Sequence, residues 1–361
     1  MFLVSTILLL SILSASSSIP WSHFHQCRSV QRKRYVSDVA NQFDCETVLG
    51  GCWEFPQTSE EVGKCFSPDY SPIAPKHCGK FFVKQILAGK VSRRWPFVVS
   101  LRLTFFGSAE LSNCVGTLIA PDVVVTAGHC ALFRNCLGAC GLGPNKGEIW
   151  VGGHNLRNAS DYEIVKIIDL RVNEGFARLD HDGMDIALIK LGKSFRQKVP
   201  CLPDFNFNES KDLIGAQCMS AGWGNLGEDE TSVRRTGDYG KLRQLNLTIV
   251  DMKTCKGPST SICAKDVNKL GSTCRGDSGT GLLCKRPKKG KIGKRYFILG
   301  VLNGGKRRCL SYDEVYVNYY TPLALFHNWI QMVLHEWKHL EEQGYYDHTK
   351  KKCQELYLNN G

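Results

Sequence analysis

The chain lacks long apolar runs, which limits how it can relate to a membrane. Among its 361 residues, Met1 to Leu13 form the one almost wholly apolar stretch, and this stretch is too short to cross a bilayer comfortably. Small residues suited to signal peptidase follow it. We therefore interpret residues 1–18 as a signal peptide, although basic residues are missing before the apolar run, and expect a secreted, extracellular protein without a membrane span. A membrane anchor is the alternative.

Helical patterns are scarce as well. Short apolar, β-branched runs such as Trp95–Leu101, Val115–Ile119 and Val123–Thr126 recur between turn residues. Closely spaced runs of this kind indicate an all-β sandwich or a pair of barrels. The main exception is the segment from Leu323 to about Leu340, which follows Pro322 and has apolar positions at helical spacing. We therefore expect one amphipathic helix near the C-terminus.

Cysteine, by contrast, is abundant. The 17 cysteines indicate disulfides and an oxidising compartment. Because the number is odd, at least one thiol is free or paired between chains, and Cys353 in the polar tail has no evident partner. Four cysteines lie between residues 19 and 78, in a region too short for a large core, where three internal pairings are possible.

Sequons for N-linked glycosylation fit the same secreted context. Three Asn-X-Ser/Thr triplets begin at Asn158, Asn208 and Asn246. Each triplet alone is compatible with chance. In an extracellular protein, however, such triplets are acceptors of a bulky surface glycan, and we expect a glycoprotein modified at these three asparagines.

The stretch Gly271–Thr280 contains the tetrapeptide Gly-Asp-Ser-Gly around Ser278. A serine hydroxyl is a poor nucleophile until a base removes its proton, and a reactive serine needs a tight turn with N–H groups aimed at the attacked carbonyl. Upstream motifs supply His129 as a base and Asp185 as a carboxylate that orients it. Taken singly, these residues are equally typical of a surface turn, a core histidine and a cap. Together, in the order His, Asp, Ser, they indicate acyl transfer.

These three motifs resemble the chymotrypsin-like (trypsin-like) secreted serine protease family, from about Ile86 to about Trp337. The resemblance implies an all-β fold of two six-stranded antiparallel Greek-key β-barrels with the active site in the cleft between them. A small N-terminal Cys-rich region precedes the barrels, and the C-terminal helix follows them. We expect a protease domain at residues 86–340 and a polar C-terminal tail at 341–361.

The resemblance also implies the role of each residue. Ser278 attacks the substrate carbonyl, His129 takes its proton, and Asp185 holds the imidazole in one tautomer. The N–H groups of Gly276 and Ser278 form the oxyanion hole. We therefore expect a serine endopeptidase that acts through an acyl-enzyme, with protein or peptide substrates and with protease inhibitors as possible partners.

Ile86 resembles the family's activation junction, where cleavage frees an apolar N-terminus. The new ammonium then inserts beside Asp277 and orders the oxyanion loop, so the chain is expected to be a zymogen with a pro-region at residues 19–85. Gln85 stands where the family usually has Arg or Lys, so the activating protease is not identified. A Cys78–Cys201 disulfide would keep the pro-region attached.

The resemblance implies further disulfides around the barrels. Cys114–Cys130 brackets the histidine, Cys136–Cys140 closes a short loop, and the remaining pairs are Cys218–Cys284, Cys255–Cys263 and Cys274–Cys309. No cofactor is implied. The segment after Val151 resembles the start of a calcium loop in some members, but Gly153 replaces an acidic ligand there and leaves only Asp161 and Glu163 nearby. Since calcium takes six or more oxygens, we expect no metal.

The substrate pocket departs from the family pattern. The resemblance places Ser272 at its base, where a trypsin has Asp, and Gly305 and Glu314 on its walls. Ser272 offers a cation no countercharge, which favours large apolar or aromatic side chains before the scissile bond. A carboxylate of Glu314 inside the pocket would also admit Lys or Arg, so dual acceptance is expected. In the alternative, Glu314 turns outward or the alignment is shifted by one residue.

A second departure concerns the cleft. Gly304 stands where the family has the tryptophan that walls the substrate cleft. Loss of the indole should widen the cleft and weaken side-chain packing there.

Two other functions remain open. One is a weak or inactive protease homologue that acts as a binding or scaffold protein. The other concerns the basic run Lys285 to Arg295, which has seven Lys or Arg in a chain of net charge +12. Such runs are mostly solvated loops, but this one is also a candidate site for a sulfated polysaccharide. Secretion makes nucleic acid the less natural polyanion, and we expect none.

Overall fold

The computed structural model describes residues 78–80, 95–105, 111–134, 141–142, 144–173, 175–176, 184–203, 213–224, 240–254, 260–266, 271–288, 291–305, 317–342, 344 and 346. Several expected features lie outside these residues: the signal peptide, most of the Cys-rich region, the activation junction at Ile86, the pocket residue Glu314, the sequon at Asn208, and Cys136, Cys140, Cys255, Cys309 and Cys353.

The first part of the chain folds into a closed β-barrel. Its elements are β1 (Val98–Phe105), β2 (Leu111–Ala120), β3 (Val123–Thr126), the short helix α1 (Gly128–Ala131), β4 (Phe133–Arg134), β5 (Gly141–Leu142), β6 (Pro144–Val151), β7 (Glu163–Val172) and β8 (Ala187–Leu191). Six strands close the barrel in the order β1-β2-β3-β8-β7-β6, with antiparallel pairing, whereas β4 and β5 form a separate two-stranded sheet.

The second part of the chain forms another closed barrel. Its elements are β9 (Gln217–Gly222), β10 (Arg243–Val250), β11 (Ile262–Lys265), β12 (Gly281–Lys288), β13 (Lys291–Gly305), β14 (Val317–Pro322) and, after it, helix α2 (His327–Glu342). The strand order is β10-β11-β14-β13-β12-β9, again antiparallel. The predicted all-β fold of two six-stranded antiparallel barrels is therefore confirmed.

The barrels form because branched apolar side chains fill their interiors. All four residues of β3 are buried, as are all five of β8, and these two strands pair with each other. By contrast, Ile164, Lys166, Ile168 and Leu170 of β7 are exposed or half-buried, whereas Val165, Asp169 and Arg171 are buried. Alternation of this kind is typical of a strand with one face in solvent. The paired strands β3 and β8, whose ends lead to the candidate site, are thus buried along their whole length.

Helix α2 covers the first barrel after the chain has left the second. The predicted helix is confirmed, although it begins at His327, after a 3-10 turn at Ala324–Phe326, and ends at Glu342. Its buried face includes Trp329, Val333 and Trp337, which pack into the larger core cluster. No helix in the described part of the chain is both long enough and apolar enough to span a membrane.

A buried ion cluster fastens α2 to β7. The guanidinium of Arg171, whose side chain is 2% exposed, contacts the buried carboxylate of Asp169 and binds Glu336 of α2 with an Nη2–Oε1 distance of 3.0 Å. The Tyr346 hydroxyl donates to Asp169 Oδ2 at 2.8 Å. One buried cation thus connects the first barrel to the helix, and Asp169 has both of its oxygens engaged.

Disulfides hold three further points of the fold. Cys78 is joined to Cys201, Cys114 to Cys130 and Cys218 to Cys284. Cys263 and Cys274 are also disulfide-bonded, and their expected partners lie outside the described residues. The Cys114–Cys130 bond bears on the site because it ties β2 to the helix that carries His129.

Replacing Arg171 with Met should lower the free energy of unfolding by about 3–5 kcal/mol, since it leaves the buried Asp169 carboxylate without its cation. The matched control is Lys193→Met, which removes an exposed ion pair to Glu163 and should change stability by less than about 1 kcal/mol. Urea denaturation of both variants measures the difference. Equal small losses would show that the buried cation contributes nothing to stability.

Candidate active site

His129 and Asp185 meet where β3 ends and β8 begins. Thr126, the last residue of β3, pairs with Ala187, the first residue of β8. His129 follows the end of β3 by three residues and Asp185 precedes the start of β8 by two, so the two residues lie side by side. The His129 amide donates to Asp185 Oδ1 at 2.7 Å, and His129 Nδ1 lies 2.6 Å from Asp185 Oδ2. Because Nδ1 faces a carboxylate it carries the proton, which leaves Nε2 as the basic nitrogen.

Burial of this pair is asymmetric. Asp185 is 4% exposed, whereas the His129 side chain is 37% exposed. A Cβ on Gly128 would lie 3.0 Å from Asp185 Oδ1 and 2.7 Å from the Phe176 ring, so the absence of a side chain lets the carboxylate reach the His129 amide. The carboxylate is thus held inside the protein, and the imidazole reaches the surface.

Ser278 lies in a tight turn between the barrels. The turn is closed by hydrogen bonds from Asp277 N to Cys274 O and from Thr280 N to Asp277 O, both 3.0 Å, and Gly276 has a φ of 91°. The Ser278 carbonyl accepts from Val115 N at 2.8 Å. Val115 follows Cys114, which is bonded to Cys130 beside His129. The Cys114–Cys130 disulfide therefore links the residue after His129 to the residue before Val115, which holds Ser278.

Gly279 brings the serine turn directly against the strand that leads to His129. Its φ is 83°, and a Cβ there would lie 2.1 Å from Thr126 Oγ1 and 2.3 Å from Val115 O. Its amide donates to Leu302 O in the second barrel at 2.8 Å. Only glycine fits this contact, because any side chain would push the turn away from the first barrel.

Asp277 is a charged group turned into the protein. Its Oδ1 accepts from Gly224 N at 2.8 Å and its Oδ2 from Cys274 N at 2.9 Å. Burial raises the pKa of Asp277 from 3.8 to about 6, although both backbone hydrogen bonds oppose the rise. Burial likewise raises the pKa of the nearby Tyr320 hydroxyl above its usual range. Within the described residues, no cation pairs with Asp277.

The pocket residues come together only in part. Ser272 is half-buried and Gly305 is exposed. The β13–β14 register places Asn318 opposite Gly305 and Tyr319 opposite Gly304. Sequence reasoning missed both of these β14 residues. Their positions depend on the β13–β14 register and its shift, which no local pattern marks.

Asn318 and Tyr319 are the β14 residues that lie beside the expected pocket and cleft. Asn318 is 2% exposed, accepts from Thr273 Oγ1 at 2.6 Å and donates to Ala264 O at 3.2 Å. The Tyr319 ring lies beside Gly304, where a Cβ would be 3.3 Å from its Cδ2 atom. An aromatic ring from β14 therefore borders the place left by the missing tryptophan.

Two of the sequons differ in their surroundings. Asn158 is exposed, and its Oδ1 accepts from the hydroxyl of Ser160, the third residue of its sequon, at 2.9 Å. Asn246 is half-buried within β10 and accepts from Gln244 Nε2 at 3.0 Å. The first asparagine therefore lies on the surface, whereas the second is part of a barrel strand.

The groups that could suggest a metal have other uses. Cys114, His129 and Cys130 lie close together, but the two cysteines form a disulfide. In the loop considered for calcium, Asp161 accepts hydrogen bonds from Asn155 N at 3.2 Å and Asn158 Nδ2 at 3.0 Å. These side chains therefore serve the local structure of the loop.

Known proteins share this architecture. The family model described as Trypsin matches residues 89–330. The clotting factor G beta subunit of Tachypleus tridentatus is 27% identical over 286 residues, which span 72% of this chain and 84% of that protein. The solved structure of human heparin binding protein has a TM-score of 0.52 and 22% identity, over 69% of this chain and 97% of that one. A mutant of the same human protein gives 0.51 and 21%.

Replacing Gly279 with Ala should destabilise the protein and displace Ser278. The matched control is Gly215→Ala, because Gly215 has a similar φ of 86° with nothing within 4 Å of its Cβ position. The control should lose about 1–2 kcal/mol from left-handed strain, and Gly279→Ala a further 1–3 kcal/mol or so from the clash. Chemical denaturation measures both losses. Equal losses would contradict the close contact with Thr126.

Proposed function

Because the chain belongs to the trypsin family, we propose that it is a secreted serine endopeptidase with Ser278, His129 and Asp185 as its catalytic residues. The observation that carries the proposal is the pair of hydrogen bonds between Asp185 and His129, together with a serine turn that is bonded to β2 of the same barrel through Val115. A carboxylate in this position fixes the tautomer that a serine nucleophile needs.

In the proposed reaction, Ser278 Oγ attacks the carbonyl carbon of the scissile bond as its proton passes to His129 Nε2. Asp185 accepts from Nδ1 and stabilises the imidazolium that forms. The tetrahedral intermediate collapses when His129 gives its proton to the departing amine, which leaves an acyl-enzyme on Ser278. Water, deprotonated by the same imidazole, then releases the acid and restores the serine.

The oxyanion of that intermediate is proposed to bind the N–H groups of Gly276 and Ser278. Gly276 supports this assignment because its left-handed backbone turns the peptide within a short loop. N–H donors fixed in this way need no reorganisation when charge develops on the carbonyl oxygen. Their position depends on the turn, in which the Asp277 carboxylate accepts hydrogen bonds from the amides of Gly224 and Cys274.

Activation follows from the same turn. We propose a signal peptide at 1–18, a pro-region at 19–85, the protease domain at 86–340 and a polar tail at 341–361, with cleavage before Ile86. The Cys78–Cys201 disulfide would keep part of the pro-region attached after cleavage. The freed ammonium would supply a countercharge for Asp277, whose raised pKa reports that its charged form is poorly compensated in the described structure.

A binding or scaffold function is the second candidate, and the β12–β13 hairpin favours it. Lys288 is paired with Lys291 across the two strands, in the basic run that extends to Arg295. A dense run of Lys and Arg attracts a polyanion. One structural neighbour is named human heparin binding protein. We propose sulfated polysaccharide binding as an accessory property of this hairpin.

The proposed activity is tested on protein with an Ile86 N-terminus made through an engineered cleavage site. This protein should react with a fluorophosphonate probe and hydrolyse peptide amides, and Ser278→Ala should reduce hydrolysis on the order of 10⁵-fold or more, because the triad acts as a unit. If the cleaved wild type takes up no probe and hydrolyses nothing, yet is retained on heparin in a salt-dependent way, the binding function replaces the enzymatic one.

Asp277 also predicts how stability depends on pH before and after cleavage. In the uncleaved chain its folded pKa of about 6 exceeds the ordinary 3.8, so the folded state binds more protons than the unfolded state between these values. Stability should therefore fall as pH rises from about 4 to 6, by up to about 3 kcal/mol, and should stay lower above pH 6.

Cleavage before Ile86 should remove most of this fall, because a nearby ammonium lowers the pKa of the carboxyl. The measurement is thermal unfolding of Ser278→Ala protein, cleaved and uncleaved, from about pH 4 to about pH 8. Uncleaved chain that also carries Asp277→Asn is the control and should show a flatter profile. If cleavage leaves the pH profile unchanged, the ammonium does not reach Asp277.

A further inference from the structure

We propose that Asn318 determines which side chain is accepted before the scissile bond, and that the accepted side chains are small and uncharged. This inference rests on the proposed endopeptidase function. It replaces the expectation of dual acceptance through Glu314 with a residue of β14 whose contacts the structure describes.

The first step is position. Ser272 and Gly305 are the two described residues of the expected pocket, one on the loop before Ser278 and one at the end of β13. The residue paired with Gly305 across the strands is Asn318, and a Cβ on Gly305 would lie 3.6 Å from Asn318 Oδ1. The same oxygen accepts from Thr273, the neighbour of Ser272, at 2.6 Å. The Asn318 amide thus connects the two sides of the pocket.

The second step is burial. Asn318 is 2% exposed, whereas Gly305 is exposed and Thr273 is only half-buried. The Asn318 amide therefore lies inside the protein, beside Gly305 and hydrogen-bonded to Thr273. A substrate side chain entering past Gly305 would meet this amide, and a pocket limited in this way holds a short side chain.

The third step is the strength of the closure. Asn318 Oδ1 accepts from Thr273, and its Nδ2 donates to the carbonyl of Ala264 on β11 at 3.2 Å. An aromatic side chain would have to displace the amide and break both hydrogen bonds, and each such loss is worth roughly a tenfold factor or more. The amide is also neutral, so it gives Lys or Arg no countercharge to replace lost hydration.

The experiment uses cleaved protein and a peptide library that varies the residue before the scissile bond. Wild type should cleave after Ala, Val, Ser or Thr at least about tenfold faster in kcat/KM than after Phe, Lys or Arg. Asn318→Gly should open the pocket and raise the ratio of Phe to Ala cleavage at least about tenfold. Asn318→Ala should move the ratio in the same direction by a smaller factor.

The matched control is Asn246→Gly, which makes the same change on β10 of the same barrel and should leave the Phe to Ala ratio as in wild type. Fluorophosphonate labelling of every variant checks that the catalytic residues are intact. If neither Asn318 variant labels because it fails to fold, the wild-type profile alone decides, since fast cleavage after Phe, Lys or Arg overturns the proposal.

Two further outcomes would contradict the role of Asn318. If wild type cleaves after Lys or Arg and Glu314→Gly abolishes this cleavage, Glu314 is the selector and the proposal is wrong. If wild type labels but the Asn318 variants keep its ratio, the amide does not limit the pocket. Absence of labelling in wild type, by contrast, shows that the proposed endopeptidase function has failed, and the inference falls with it.

Discussion

The attachment of the Ser278 turn to both barrels is the constraint on which the site depends. Ser278 belongs to the second barrel, while His129 and Asp185 belong to the first, so the three side chains share a site only if the turn is fixed across the seam. The hydrogen bonds from Val115 to Ser278 and from Gly279 to Leu302 do this on the two sides. A buried bond from Trp95 Nε1 to Gln244 Oε1, 3.1 Å long, joins the barrels elsewhere.

The attachment of the Ser278 turn also accounts for the Asp277 carboxylate, which lies inside the protein without a cation among the described residues. Asp277 lies beneath the turn because its carboxylate orders the loop through Gly224 and Cys274, and both Gly222 and Gly224 lack a side chain where a Cβ would strike this carboxylate. The Arg171 cluster is different, since two carboxylates surround its cation. Ion pairing is thus nearly complete in the Arg171 cluster, whereas in the Ser278 loop only backbone amides are seen to bind the Asp277 carboxylate.

Short motifs made much of this site predictable from sequence. His129, Asp185 and Ser278 each stand in a short local pattern of a turn or strand end, and closely spaced branched runs indicated an all-β fold. Asn318 could not be found in this way. Its partner Thr273 is 45 residues away, and the contact depends on which β14 residue faces Gly305. Arg171 and Glu336, which are 165 residues apart, are subject to the same limit.

The register between β13 and β14 affects the expected pocket but not the turn that carries Ser278. The β13–β14 pairing shifts between Leu302 and Gly304, and a bulge of this kind changes which side chains face each other. Because of it, Gly305 is paired with the buried amide of Asn318 and Gly304 with the ring of Tyr319. Without this shift, Asn318 would pair with Gly304 and Val317 with Gly305, while the turn of Ser278 would keep its bonds to Val115 and Leu302. The bulge therefore decides which β14 residues lie beside the expected pocket.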